Sequence, residues 1–205
     1  MQRAAATKTM FRQILRQQIQ LRTISRPCDV FINHRGIDTK RTVAGLLYDH
    51  LTKLNLHAFL DSKSMKPGDR LFEKIDPAIR ECKVGVAVFS PRYCESYFCL
   101  HELSLMMESK KRVIPIFYDV KPSELRVLDN GSCPTNEVQR ITRALEEAKY
   151  TVGLTFDSAK GDWSDFLRKA SDAVLKSLLE EEEGAGRALQ KHKFPQYPMV
   201  LRGRI

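Results

Sequence analysis

The chain has 205 residues, 42% of them hydrophobic, and a formal net charge of +9, which suits one ordinary domain with tails. The basic excess sits at the ends: residues 1–28 hold six Lys or Arg and residues 184–205 hold five, neither with an acid, while the region between has 23 basic against 25 acidic side chains. A folded basic groove for nucleic acid is therefore not indicated, and polyanion binding would fall to the tails.

In chain order, residues 1–26 interleave Met10, Phe11, Ile14, Leu15, Ile19, Leu21 and Ile24 with Arg12, Arg16 and Arg22. This reads either as an organelle or membrane-surface targeting leader or as a disordered basic one; it lacks the continuous apolar core of a secretory signal. A first strand is expected at 28–33, followed by a helix that starts at Asp38-Thr39, where either side chain can cap free N–H groups. Val43, Leu46, Leu47, Leu51 and Leu54 give that helix an apolar face near 3.6 spacing. A short strand at 57–60 leads into a polar loop, Asp61 to Asp69, with Pro67-Gly68 as its turn signal. A helix over 71–82 carries Pro77, which predicts a kink. The run Val84 to Phe89 reads as a fully buried strand, followed by a helix over 95–110. Pro115 inside the strand 112–117 predicts an irregular or partly unpaired position. A helix over 136–149, a strand near 151–156 and a helix over 162–180 follow, the last with a packing face of Trp163, Phe166, Leu167, Val174 and Leu178. After Glu180 to Gly184 the composition changes abruptly, and Pro195 and Pro198 suit a mobile tail.

Alternating strands and helices argue for a five-stranded parallel sheet covered by helices on both faces, in the flavodoxin-like arrangement. In such sheets ligands sit beyond the carboxyl ends of the strands, where strand order reverses. That rule gathers Asn33, His34, Arg35 and Gly36, the loop 61–69 with Asp61, and the segment 90–102 around one cleft. A phosphate-accepting receiver would need acids after the first strand and an Asp after the third, where this chain has Asn33-His34-Arg35 and Ser90. Gly-x-Gly-x-x-Gly and Gly-x-x-x-x-Gly-Lys-Ser/Thr are both missing, so a dinucleotide as redox cofactor is disfavoured and a dinucleotide as substrate stays open. The five cysteines, Cys28, Cys82, Cys94, Cys99 and Cys133, are odd in number and without Cys-x-x-Cys. With His sparse, they argue against a disulfide framework or a zinc site and suit a reducing, cytoplasmic compartment. No apolar run approaches the ~18 residues that span a bilayer.

The most informative stretch is Ser90 to Leu103. Phe98 and Glu102 stand at i and i+4 and share a helix face. An aromatic ring beside a carboxylate can hold a sugar joined to a flat base; the plainer reading is a solvated Glu beside a packed Phe.

Three ordered segments change that balance: Cys28 to Arg41, Ser90 to Leu103, and Phe117-Tyr118-Asp119-Val120-Lys121-Pro122-Ser123-Glu124-Leu125-Arg126. Over residues 27–180 they resemble the plant form of the TIR (Toll/interleukin-1 receptor) domain, with 1–26 and 181–205 as tails and no repeat-rich domain flanking it. The family's patterns are Tyr-Asp-Val-Phe-Leu-Ser-Phe-Arg-Gly-x-Asp-Thr-Arg, Ser-x-x-Tyr-Ala-x-Ser-x-Trp-Cys-Leu-x-Glu-Leu and Phe-Tyr-x-Val-x-Pro-Ser-x-Val-Arg. The resemblance implies cleavage of the nicotinamide–ribose bond of NAD+, with NAD+ as substrate and no further cofactor. The products would be ADP-ribose, or a cyclised or transferred ADP-ribose read by downstream immune signalling proteins. By motif match Glu102 is the carboxylate beside the ribose, with Phe98 in the place of the family's Trp and Asn33-His34 in the place of its Ser-Phe. Arg35 either faces phosphate or anchors its turn, and Gly36 lets the backbone approach a ligand. Cys99 matches the Cys that some plant members need for a nucleotide-cyclising activity on nucleic acid; its other reading is a small packing residue. His101 is expected at the surface. Lys66, Pro67, Gly68 and Asp69 match the mobile loop through which protomers assemble head to tail, while Gly45-Leu46 replace the Ser-His of the family's symmetric dimer contact. The competing function is a non-catalytic adaptor that acts by TIR–TIR association.

Overall fold

A computed structural model describes residues 28–127 and 134–193, with side chains in the last helix as far as residue 184. The basic leader, Cys133 and the Pro195–Pro198 segment lie outside the described residues.

Five parallel strands, β1 (Val30–His34), β2 (Ala58–Phe59), β3 (Val84–Phe89), β4 (Arg112–Tyr118) and β5 (Leu154–Phe156), form one sheet in the order β2-β1-β3-β4-β5. The chain leaves β1 toward one edge and returns to β3 on its other side, so the strand order reverses between β1 and β3. Both central strands are buried along their whole length, as expected of strands covered on two faces; β3 is apolar throughout, while β1 ends in the buried polar residues Asn33 and His34.

The helices are α1 (Gly36–Thr39), α2 (Val43–Lys53), α3 (Asp61–Ser64), α4 (Leu71–Glu81), α5 (Tyr97–Glu108), α6 (Val138–Lys149) and α7 (Trp163–Lys193). Helices α2 and α7 cover one face through Leu47, Leu51, Phe166 and Val174, packed on Val30, Ile32 and Val86. Helices α4, α5 and α6 cover the other through Ile79, Leu103 and Leu145, packed on Phe31, Phe89 and Phe117. The α7 stripe is as expected: Phe166, Val174 and Leu178 are buried, with Trp163 and Leu167 packed against them.

Several local expectations are corrected. The helix after β1 does not run unbroken from Asp38-Thr39. One turn, α1, ends at Thr39, and α2 starts at Val43. Neither residue caps α1: Asp38 accepts from Ser90 Oγ at 2.6 Å and Arg92 N at 3.1 Å, and Thr39 Oγ1 donates to the Arg35 carbonyl at 2.9 Å. The break between α1 and α2 also explains Gly45, since a Cβ there would meet the Lys40 carbonyl oxygen at 2.7 Å. Leu46 leaves the packing face and is exposed. The loop after β2 begins with the helical turn α3. Pro115 pairs in register with Ala87 of β3, while the β4–β5 pairing begins only at Ile116, so it is paired on one side alone. The last helix does not stop near residue 180 but continues through Gly184 to Lys193. The Glu180–Glu183 run and the Ala, Arg, Leu and Gln that follow are good helix formers, and the two interior glycines, Gly184 and Gly186, cost only about 1 kcal/mol each.

Candidate active site

The carboxyl ends of β1 and β3 and the start of α5 converge at the point where strand order reverses. Consecutive residues of a strand point to opposite faces, so Asn33 reaches α5 while His34 reaches α1 and α3. Asn33 is fully buried. Its Nδ2 donates to Glu102 Oε2 at 2.7 Å and to the Cys99 carbonyl at 3.1 Å. Its Oδ1 accepts from the hydroxyl of Tyr93, also fully buried. His34 Nδ1 lies 2.9 Å from Thr39 Oγ1, and its Nε2 lies 3.1 Å from Asp61 Oδ1.

These environments push two carboxyl groups apart. Burial drives Glu102 up from its ordinary 4.5 to about 8; the Asn33 hydrogen bond opposes this, and the charges of Asp61 and Asp76 add to it. For Asp61 burial is the largest single influence and raises it. The His34 hydrogen bond and charge, the Ser62 N–H and Lys40 together still bring it below its ordinary value. Carboxyl groups separated in this way at one cleft can hold different protonation states at one pH. Burial also pushes the Cys99 thiol up to about 12, and its Sγ donates to the His34 carbonyl at 3.3 Å. The side chain therefore ties α5 to β1 and supplies little thiolate.

Two donors beside the His34–Asp61 pair are buried without a protein partner: Nε of Arg35, which follows His34, and Oγ of Ser62, which follows Asp61. At Gly36 an added Cβ would meet only His34 Cε1, at 4.0 Å, so no contact of the fold requires glycine there. Phe98, one turn before Glu102, is 47% exposed, with its ring 5.6 Å from Phe72 and 5.9 Å from Tyr97. Among the described residues no group of three His, Cys, Asp or Glu is placed to hold a metal, and no helix is long and apolar enough to cross a membrane.

The family model described as TIR domain matches residues 28–180. The chain belongs to the TIR family. It is 54% identical over 158 residues to a probable 2′ cyclic ADP-D-ribose synthase, BdTIR, of Brachypodium distachyon, covering 75% of this chain and 70% of that relative. It is 37% identical over 166 residues to TMV resistance protein N of Nicotiana glutinosa, but spans only 14% of that protein. Among solved structures, the TIR domains of the activated Roq1 resistosome directly recognizing the pathogen effector XopQ match with a TM-score of 0.60 and 29% identity, over 72% of this chain and 99% of that one.

Within this TIR fold the sequence-derived residues divide into three groups. Asn33, Cys99 and Glu102 meet in one network, and His34 joins Asp61 beside it. Arg35 and Gly36 follow His34 in the chain and Phe98 stands one turn before Glu102, and none of the three bonds to either group. Lys66, Pro67 and Gly68 face solvent. Their turn closes on itself: Asp69 N donates to the Lys66 carbonyl at 3.0 Å, and Lys66 N donates to Asp69 Oδ2 at 2.9 Å. Pro67 before Gly68 at φ +97° has the residue order of a type II turn. His101 is not a free surface residue. Its Nε2 lies 3.3 Å from Asp76 Oδ1, and its ring packs 5.1 Å from that of Phe72.

Two residues that frame the candidate site carry no sequence signal for their partners. Tyr93 stands in the Ser-x-x-Tyr of the second motif, but nothing in that spacing says that its hydroxyl reaches β1. Asp38 reads locally as a helix cap, whereas its partners are Ser90 and Arg92, more than fifty residues on.

Proposed function

We propose that this TIR protein cleaves the nicotinamide–ribose bond of NAD+ when self-assembled. The observation that carries the reading is Glu102, a largely desolvated carboxyl group held by Asn33 at the switch point of the sheet. The C1′–N bond breaks with its electron pair moving to the nicotinamide nitrogen, so the positive charge passes from the pyridinium ring to the ribosyl carbon. Nicotinamide leaves neutral and needs no acid. One carboxylate beside the ribose is then enough to stabilise the oxocarbenium-like transition state. The cationic nicotinamide ring of bound NAD+ favours the ionised form of Glu102, which counters the effect of burial.

Arg35, with its unpartnered Nε, is the donor for the diphosphate, and Phe98 offers a ring to a base or ribose. Capture of C1′ by water gives ADP-ribose and a proton; capture by an internal ribose hydroxyl gives a cyclic product and a proton. The name of the 54% identical relative supports the cyclic product. The solvent-facing turn Lys66–Asp69 is the contact through which protomers assemble, and the diffusible product is what downstream immune signalling proteins read. We place the activity in the cytoplasm.

The test is nicotinamide release by purified protein at low and high concentration, beside Glu102→Ala, with products resolved by mass. The expected result is release that rises more steeply than protein concentration, falls by about 10³-fold in Glu102→Ala, and yields a product lighter than ADP-ribose by one water. No release at any concentration, with a crowding agent present, would move the function to a scaffold that acts through TIR–TIR contacts alone.

A further inference from the structure

We infer that Asn33 is a positioning residue for the Glu102 carboxylate, aimed by the Tyr93 hydroxyl, and does not bind substrate directly. The inference rests on the NAD+-cleaving reading of the site and assigns its internal support.

The orientation of the Asn33 amide follows from its partners. The Cys99 carbonyl can only accept, so the atom facing it at 3.1 Å is Nδ2. The same Nδ2 faces Glu102 Oε2 at 2.7 Å, so its two N–H groups are both used. Oδ1 then faces Tyr93, whose hydroxyl donates to it. A primary amide offers two donors and one carbonyl oxygen, and here each has a protein partner. Asn33 is 0% exposed. A ligand would have to break one of these bonds to reach it.

The support for this network is stiff. Tyr93 is fully buried, and its ring packs edge-on to Phe89 of β3 at 4.7 Å between centroids. Asn33 is fixed on β1, which pairs with β3 from Val30 to His34. The Cys99 carbonyl belongs to α5, three residues before Glu102. The amide therefore ties β1 to Tyr93 in the turn after β3 and to the helix that carries the carboxylate. It fixes Oε2 and leaves Oε1, which accepts no hydrogen bond among the described residues, as the oxygen presented to the ribose.

The consequences differ from those of a substrate ligand. Loss of a ligand to NAD+ raises KM. Loss of a positioning residue leaves ground-state binding largely intact and lowers kcat. A donor on a carboxylate also favours its ionised form, so removal moves its titration to higher pH.

Two variants and two readouts test this. Asn33→Ala removes the amide and leaves the Tyr93 hydroxyl 3.1 Å from the Cys99 carbonyl, an existing alternative partner. Tyr93→Phe removes only the hydroxyl and keeps the ring in place. The first readout is the titration of the Glu102 side-chain carboxyl carbon by NMR, assigned by its absence in Glu102→Gln. The second is the pH dependence of kcat and KM for nicotinamide release. In Asn33→Ala the Glu102 midpoint and the rising limb of the rate should both move to higher pH, with kcat down on the order of tenfold and KM within about twofold. Tyr93→Phe should give the same changes, smaller. An unmoved Glu102 midpoint in both variants, or a KM effect with kcat and pH profile unchanged, overturns the inference. A midpoint that moves in a protein that never releases nicotinamide supports the positioning contact and sinks the NAD+ reading instead.

Discussion

The two ends of the sheet treat charge in opposite ways. At the carboxyl end, fully buried Asn33 and Tyr93 hold the half-buried Glu102, whose carboxyl group is shifted to about 8. At the amino end, a cavity of about 530 Å³ opens between α5, α7 and the starts of β4 and β5, lined by Met107, Val113, Val152, Lys176 and Glu180. Its charges stay wet. Arg112 and Glu180 pair across it with each side chain about 40% exposed (43% and 41%), and Val152 is 95% exposed. This cavity has charge pairs of the kind that contribute little. The carboxyl end has a carboxyl group whose burial works against stability. A void by itself does not mark a site; perturbed ionisation with defined partners points to the carboxyl end.

The largest effect that bears on this contrast belongs to Glu102→Gln, which keeps shape and the hydrogen bond from Asn33 but removes the charge. Nicotinamide release should be lost while the fold gains stability. The sign follows from linkage. The folded-state value of about 8 lies above the ordinary 4.5, so between those limits the folded chain keeps a proton that the unfolded chain has released, and stability falls as pH rises. The variant lacks that loss. Its advantage in thermal or denaturant unfolding should grow from pH 4.5 to about 8, reach on the order of a few kcal/mol, and stay level above. An advantage that does not change with pH would break the contrast.

Arg35→Ala comes next. A hydrogen bond from a charged donor to phosphate contributes about 1.5–3 kcal/mol, so KM for NAD+ should rise roughly tenfold or more with a smaller change in kcat. Steady-state kinetics check this, and an unchanged KM would assign Arg35 to its turn instead. The smallest effect should come from Arg112→Ala at the amino end. An exposed pair of this kind contributes about 0–1 kcal/mol, so unfolding should shift by no more than that, with nicotinamide release unchanged. A large loss of activity there would give the amino-end cavity a functional role.

What the sequence determined by itself was local and periodic. Apolar runs marked the buried strands, 3.6 spacing marked α2 and α7, and three motifs in order named the family and pointed to Glu102. Their order along the chain also implied the sheet topology, because parallel strands joined by helices leave few alternatives. What only the tertiary structure decided was pairing. Asp38 carries the local signature of a cap, yet its carboxylate is taken by Ser90 and Arg92 across the loop that follows β3. Asn33 and His34 are neighbours with opposite fates, one joined to Glu102 and the other to Asp61, because a strand sends successive side chains to opposite faces. Tyr93 acts through a hydroxyl that reaches β1 sixty residues back in the chain. Hydrogen bonds of this span depend on where the backbone brings two groups together. Periodicity reports which face a residue occupies and leaves open what it meets there.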